Sequence, residues 1–274
     1  MSVAIRGRRD GASADEARIA HALRETFQTW DAPGASSAAV HGDAALVLQE
    51  ARRLRVTMSL FDDTSPARVL EIGTGYLTLA VVLRRTFPGA RITGVEHPGR
   101  AYLFGSAYGK RLAEERIALA AADVVAGGLP FRDAAFDAVL FAEVVEHLPP
   151  NAVPDVLRDI ARVLAPGGRL IVTTPNLASW TNRELVVRGH SPQQSPARTI
   201  DGTFGHLRLY TMAELVSLLQ GAGLHVRRQA FFDQVPVGIS ALRRVLAAGF
   251  APARWRWPTL RDACAVVAER AGPR

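Results

Sequence analysis

The amino-acid sequence predicts an α/β fold, a mostly parallel sheet with helices on both faces, and three observations carry that expectation. The stretch Val69-Leu70-Glu71-Ile72-Gly73-Thr74-Gly75-Tyr76-Leu77-Thr78-Leu79-Ala80 reads as a buried strand, a tight glycine turn and a helix. Downstream, short apolar runs alternate with segments of helical periodicity, as repeated strand–helix–strand units do. Acidic residues, Glu71, Glu96, Asp123 and Glu143, stand at or just beyond the ends of those runs. Open sheets of this kind bind ligands at the carboxyl ends of their strands.

Composition sets the outer bounds. A chain of 274 residues is one large domain or one domain with an appendage, and 48% hydrophobic residues suffice for a full core. The single cysteine, Cys264, excludes an internal disulfide framework and a thiolate metal site, and it fits a reducing compartment. Met1 to Arg9 is basic but no apolar segment follows, so no secretory signal is expected; no later run is long enough to span a membrane, and a cytoplasmic location follows. The net charge of +7 comes from scattered arginines, with some concentration at Arg243, Arg244, Arg254, Arg256 and Arg261. It reads either as a solvated arginine-rich surface or as attraction for an anionic partner.

The elements follow in order. Residues 1–12 show no periodicity, whereas Ala17, Ile19, Leu23, Phe27 and Trp30 give a helix over Ser13 to Trp30, opened by a capping box of Ser13 and Glu16. A second helix is expected from Asp43 to Phe61. Together they form an N-terminal helical cap, residues 1–65, that either covers a ligand or packs on the sheet edge. The main domain, residues 66–274, begins with strand one at Arg68–Ile72 and a helix at Leu77–Thr86. Strand two at Arg91–Glu96, a helix at Arg100–Leu112, strand three at Ile117–Ala121 and strand four at Phe136–Ala142 come next. A helix over Asn151–Leu164 turns Val153, Val156, Leu157, Ile160 and Val163 inward and stops at Pro166-Gly167-Gly168, before strand five at Arg169–Thr174. Pro175 to Tyr210 is too long for a simple connection and is rich in Ser, Pro, Gln and Gly in its second half, so an inserted lid after strand five is expected there. Thr211 and Glu214 form a capping box for the next helix. Strand six at Leu224–Phe232, a helix near Val237–Ala248 and strand seven at Ala263–Ala268, antiparallel to strand six, complete the chain.

The stretch Glu71-Ile72-Gly73-Thr74-Gly75 resembles motif I of the class I S-adenosylmethionine-dependent methyltransferases, Glu/Asp-x-Gly-x-Gly-x-Gly. Leu77 stands where the third glycine is expected, unless two residues have been dropped before Tyr76. Glu96, about twenty residues beyond the turn, has the spacing of a ribose-binding acid. The block from Leu129 to Leu148 is similar to the family's fourth-strand signature. The resemblance runs from about Val69 to Arg270 and implies a Rossmann-like seven-stranded sheet with S-adenosylmethionine as cofactor. By the same likeness Glu71, Gly73 and Gly75 lie near the methionine end, Glu96 on the ribose, Asp123 beside the adenine amino group, and Phe141 is a further cofactor-binding position. An acid such as Asp123 is also a common turn residue.

Methyl transfer from a sulfonium asks the protein for an in-line approach and removal of the acceptor's proton, and proximity alone supplies roughly 7–11 kcal/mol in favourable cases. Glu143-Val144-Val145-Glu146-His147 follows strand four, and His190 and His206 lie in the lid. Glu143, Glu146, His147 and His206 make a candidate catalytic set, and their oxygen and nitrogen donors also suit Mg, Mn or Zn. The arrangement resembles that of small-RNA 2′-O-methyltransferases and ubiquinone-pathway O-methyltransferases, which carry Glu-x-x-Glu-His and a later His ahead of an aromatic-Thr helix start, here His206 to Thr211. Without a metal, Glu146 and His147 would serve as capping and general-base residues. His21, His41, His97 and His225 read as surface or packing residues, and Trp180, Trp255 and Trp257 as an aromatic pocket or as core.

The favoured reaction is therefore methylation of a hydroxyl on a small-molecule or saccharide acceptor, since the lid text is similar to methyltransferases of glycan and secondary-metabolite pathways. The alternatives are a nucleic-acid 2′-O-methyltransferase, which lacks its expected basic aromatic groove here, and N- or C-methylation of a secondary metabolite. A cofactor-binding relative without activity would be expected to lose Glu96 or the strand-four signature, and both are intact. A homodimer stays open.

Overall fold

The structure is a computed structural model that describes residues 44–62, 64–75, 77–100, 104–193, 205–233, 253 and 256–272. The helices expected at 13–30 and 237–248 lie outside the described residues. Helix α1 (Ala44–Ser59) leads to strand β1 (Arg68–Ile72), helix α2 (Thr78–Thr86), β2 (Arg91–Glu96), α3 (Ser106–Glu115) and β3 (Ile117–Ala121). Then follow β4 (Phe136–Ala142), a short 3-10 turn (Val145–His147), α4 (Val153–Val163), β5 (Leu164–Pro175), α5 (Trp180–Val187), α6 (Met212–Gly221), β6 (Leu224–Phe232) and β7 (Ala263–Arg270). The seven strands lie in the order β3-β2-β1-β4-β5-β7-β6, parallel except for β7, which runs antiparallel to both β5 and β6. The expectation of a seven-stranded, mostly parallel sheet with strand seven antiparallel to strand six holds.

The alternation of side chains along the strands splits the core into two layers. Val69, Ile92, Leu140 and Ile171 face one side and pack with α2 and with Ala51, Leu54 and Leu60 of the N-terminal segment. Leu70, Ile72, Val139, Phe141 and Val172 face the other and pack with α4 and α6. The domain boundary expected at residue 65 therefore runs through a shared core: α1 belongs to one face of the sheet.

Two expected boundaries shift for local reasons. Helix α3 begins at Ser106 because His97-Pro98-Gly99-Arg100 turns first, with the Arg100 N–H donating to the His97 carbonyl at 2.9 Å. Strand β5 begins at Leu164, which pairs with Phe136 before an irregularity; Gly167, at φ +75°, lets the chain pass the expected stop without leaving the sheet.

The sheet reverses its winding between β1 and β4, and the crevice at that switch point is where ligands bind in such folds. Two close approaches shape it. A Cβ on Gly94 of β2 would lie 2.4 Å from Thr74 Cγ2, so the absent side chain is what lets the glycine turn settle on β2. Leu77 takes the left-handed conformation, φ +61°, that the missing third glycine would have supplied. That conformation costs roughly 1–2 kcal/mol for a residue with a Cβ, and complete burial of the leucine side chain contributes about the same amount or more.

Gly94→Ala is expected to destabilise the chain by about 1–3 kcal/mol in urea denaturation, because the new methyl overpacks against Thr74. In a Thr74→Ser background, which removes the opposing Cγ2, the loss should be clearly smaller. Equal losses in both backgrounds would show that the Thr74 contact is not what excludes a side chain at 94.

Candidate active site

The cofactor side of the crevice starts at the turn after β1. Gly73 has φ +76° and its N–H donates to the Val95 carbonyl at 2.9 Å, while Gly75, at φ +52°, points its N–H at Glu96 Oε2, 2.8 Å away. The other Glu96 oxygen accepts from the His97 N–H at 2.8 Å and lies 3.7 Å from Arg100 Nε. Among the described residues a Cβ on Gly75 would meet only Arg100 Nη1, at 3.8 Å, which leaves room there for a ligand to approach the backbone. Asp123, beyond β3, accepts at Oδ1 from Val125 and Ala126 N–H groups at 2.9 and 3.1 Å, and its Oδ2 lies 3.6 Å from His97 Nε2. Desolvation pushes the Asp123 carboxyl up, but the two backbone donors and His97 outweigh it and hold it below the usual range.

Glu71 is buried at the end of β1, and its Oε2 has no hydrogen-bond partner among the described residues. Burial, and then the charge of Glu96, push its carboxyl well above the usual range; Arg53 of α1 and the Ala80 backbone pull the other way. A buried acid without a full set of donors fits a ligand that brings them. Phe141, by contrast, is wholly buried among Leu70, Val139 and Val172, so its side chain forms the floor beneath the crevice and has no surface to offer a ligand.

The opposite wall is built by the chain leaving β4. Glu143 has φ +57°, a strained conformation for a residue with a side chain, and its N–H is tied to the Thr173 carbonyl at 2.8 Å. Val144 follows and covers Gly73, where a Cβ would lie 2.5 Å from Val144 Cγ2; this contact joins the two halves of the site. Glu146, fully buried, accepts from Thr174 Oγ1 of β5 at 3.0 Å. Its backbone carbonyl accepts from Leu207 and Arg208 N–H groups at 2.8 and 3.2 Å. Those two bonds bring His206 in: its ring centroid lies 4.9 Å from that of His147, and its Nε2 lies 4.0 Å from Glu146 Oε1.

Glu146, His147 and His206 thus place one ligand atom each within 4.8 Å of one another, the spacing of a site that can hold a metal ion. Among the described residues Glu143, which leaves β4 with a positive φ, is not part of that group. Its charge still acts, since burial first and Glu143 second push the Glu146 carboxyl well above the usual range. Burial, with His147 adding to it, lowers His206 to about 4. Both shifts run in the direction of the neutral forms. At neutral pH His206 can accept a proton or a metal.

His190 and Trp257 are exposed, Trp180 is half-buried on α5, and Trp255 lies outside the described residues. Three contributors carried no motif. His97 sits between Glu96 and Asp123, Arg53 acts on both Glu71 and Glu146, and Thr174 holds Glu146. For His97 the available signal was its place immediately after the strand-end acid.

Comparison with known proteins decides the family. The profile of a methyltransferase domain matches residues 45–229. The chain belongs to this methyltransferase family. It is 36% identical over 204 residues to a demethylmenaquinone methyltransferase of Thermus thermophilus, covering 70% of this chain and 86% of that protein. It is 29% identical over 174 residues to a ubiquinone biosynthesis O-methyltransferase of Aeromonas salmonicida, covering 62% and 68%. Among solved structures, the 1,6-didemethyltoxoflavin-N1-methyltransferase of Burkholderia thailandensis, with S-adenosylhomocysteine bound, shares the fold at a TM-score of 0.53 and 19% identity, covering 93% and 90%. The chain is a class I methyltransferase that uses S-adenosylmethionine. That cofactor supplies an electrophilic methyl group on a sulfonium, and the open turn at Gly75 with the under-bonded Glu71 beside it fit its binding.

Because Glu71 is raised in the fold, it stays protonated where the unfolded chain has already ionised. Its contribution to stability is present below pH 4.5, its ordinary value, and is lost as pH rises towards its raised value. Glu71→Gln should therefore match or exceed the wild type in thermal stability at pH 8, with the difference shrinking towards pH 4.5, while S-adenosylmethionine affinity falls. A variant less stable at pH 8 than at pH 5 relative to wild type would show that Glu71 is ionised and paired.

Proposed function

We propose that the enzyme transfers the methyl group of S-adenosylmethionine to a hydroxyl of a small-molecule or saccharide acceptor, with His206 as general base. The observation that carries this is the approach of His206 to buried Glu146 and to His147, with its Nε2 4.0 Å from Glu146 Oε1 and its ring centroid 4.9 Å from that of His147. A hydroxyl is a poor nucleophile until its proton is taken, whereas an unprotonated amine needs no such help. His206 would take that proton at Nε2, with Glu146 Oε1 as the neighbouring acid and Thr174 fixing its other oxygen. On the cofactor side, Glu71, Gly73 and Gly75 would hold the methionine end, Glu96 the ribose and Asp123 the adenine, with Phe141 beneath. The relative named for ubiquinone O-methylation supports an oxygen acceptor of quinol or phenol type.

A second reading is favoured by the clustering within 4.8 Å: Glu146, His147 and His206 would hold a divalent cation, Mg, Mn or Zn, that lowers the acceptor's pKa. Residues 175–210 would act as the lid over the acceptor. Both of its ends are anchored, Asn176 bridging to Tyr210 and Leu207 bonding to Glu146. No helix among the described residues is long and apolar enough to cross a membrane, and a cytoplasmic enzyme acting on a diffusible acceptor is consistent with this.

A mass-spectrometric screen with deuteromethyl S-adenosylmethionine over phenols, hydroxylated quinones and saccharides identifies the acceptor. On it, His206→Ala and His147→Ala should each lower turnover by about 100-fold or more. Loss of activity with a chelator, restored by one cation, selects the metal reading. Full turnover in both variants would contradict hydroxyl activation by this cluster and point to a nitrogen or carbon acceptor.

A further inference from the structure

We propose that His97 is a positioning residue that orients Asp123 towards the base of the cofactor and so enforces a 6-amino purine over a 6-oxo purine. The inference rests on the reading of Asp123 as the adenine partner. His97 directly follows Glu96, and its N–H donates to Glu96 Oε1 at 2.8 Å. Its Nδ1 accepts from the Gly99 N–H at 3.0 Å. An imidazole nitrogen that accepts carries no proton, so the neutral ring keeps its hydrogen on Nε2. That nitrogen faces Asp123 Oδ2 at 3.6 Å.

The second oxygen of Asp123 is already committed. Oδ1 accepts from the Val125 and Ala126 N–H groups, at 2.9 and 3.1 Å, which fixes the carboxylate plane and leaves Oδ2 for a ligand. With Nε2–H addressing one side of Oδ2, the lone pair on the other side is set to accept from an exocyclic amino group. A 6-oxo group there would bring acceptor against acceptor. Gly99 is part of the device, because a Cβ at that position would lie 2.9 Å from His97 Nδ1 and drive the ring off.

Calorimetric titration of the full chain with S-adenosylhomocysteine and S-inosylhomocysteine tests this, the second ligand differing in its 6-oxo group. Wild type should prefer the adenosyl ligand by about tenfold or more, the weight of a hydrogen bond to a charged acceptor. His97→Gln places an amide nitrogen where Nε2 was and should keep that preference. His97→Asn reproduces only Nδ1 and should lose at least about a factor of three. The His97 side chain is 59% exposed, so both variants should melt with the wild type. Asp123→Asn keeps its oxygen on the two backbone donors and presents N–H in place of Oδ2, so its preference should move towards the inosyl ligand. If His97→Asn discriminates as well as wild type while Asp123→Asn does not, His97 has no part in selection and the adenine assignment stands. If Asp123→Asn discriminates as wild type does, the adenine assignment falls and this inference falls with it.

Discussion

The bond from the Gly75 N–H to the Glu96 carboxylate, 2.8 Å long, is the contact on which the cofactor side depends. It ties the turn after β1 to the end of β2. It also depends on two absences of side chain, at Gly94 under Thr74 and at Gly73 under Val144. With these in place the turn cannot drift from the strand ends, and Glu96 is held in the crevice before any ligand arrives. Preorganised acceptors bind more tightly because less ordering remains to be done.

The site accepts an electrostatic cost elsewhere. Glu71 and Glu146 are both buried near other carboxylates, and each is pushed towards its neutral form. Buried acids with incomplete hydrogen bonding weaken a fold, and they persist where a ligand or a reaction uses them. Arg53 acts on both, so α1 contributes charge to both walls of the crevice.

The positions of the strands along the chain were legible in the sequence because buried parallel strands are near-continuous apolar runs, and the helices between them repeat at three and four residues; their order in the sheet was not. The capping box of Thr211 and Glu214 formed as its spacing required. Less legible were contacts made by backbone alone. Nothing in the text of the lid says that Leu207 and Arg208 N–H groups meet the Glu146 carbonyl, yet that staple is what sets His206 against His147. Glu143 and Glu146 were named together in the sequence, and among the described residues only Glu146 joins His147 and His206 within 4.8 Å, while Glu143 acts on it through its charge. His97 looked like a surface residue because its chemistry comes from Gly99 and Asp123, neither of which marks it in the sequence.

We propose that the strand-end acid Glu96, set by the glycine turn, holds the methyl donor. The most direct measurement is the calorimetric affinity of S-adenosylmethionine for wild type and for Glu96→Ala, with thermal unfolding followed in parallel. A loss of about tenfold or more in affinity is expected, the scale of charged hydrogen bonds to two hydroxyls, in a variant that still unfolds cooperatively. Undiminished binding by a folded Glu96→Ala would contradict it.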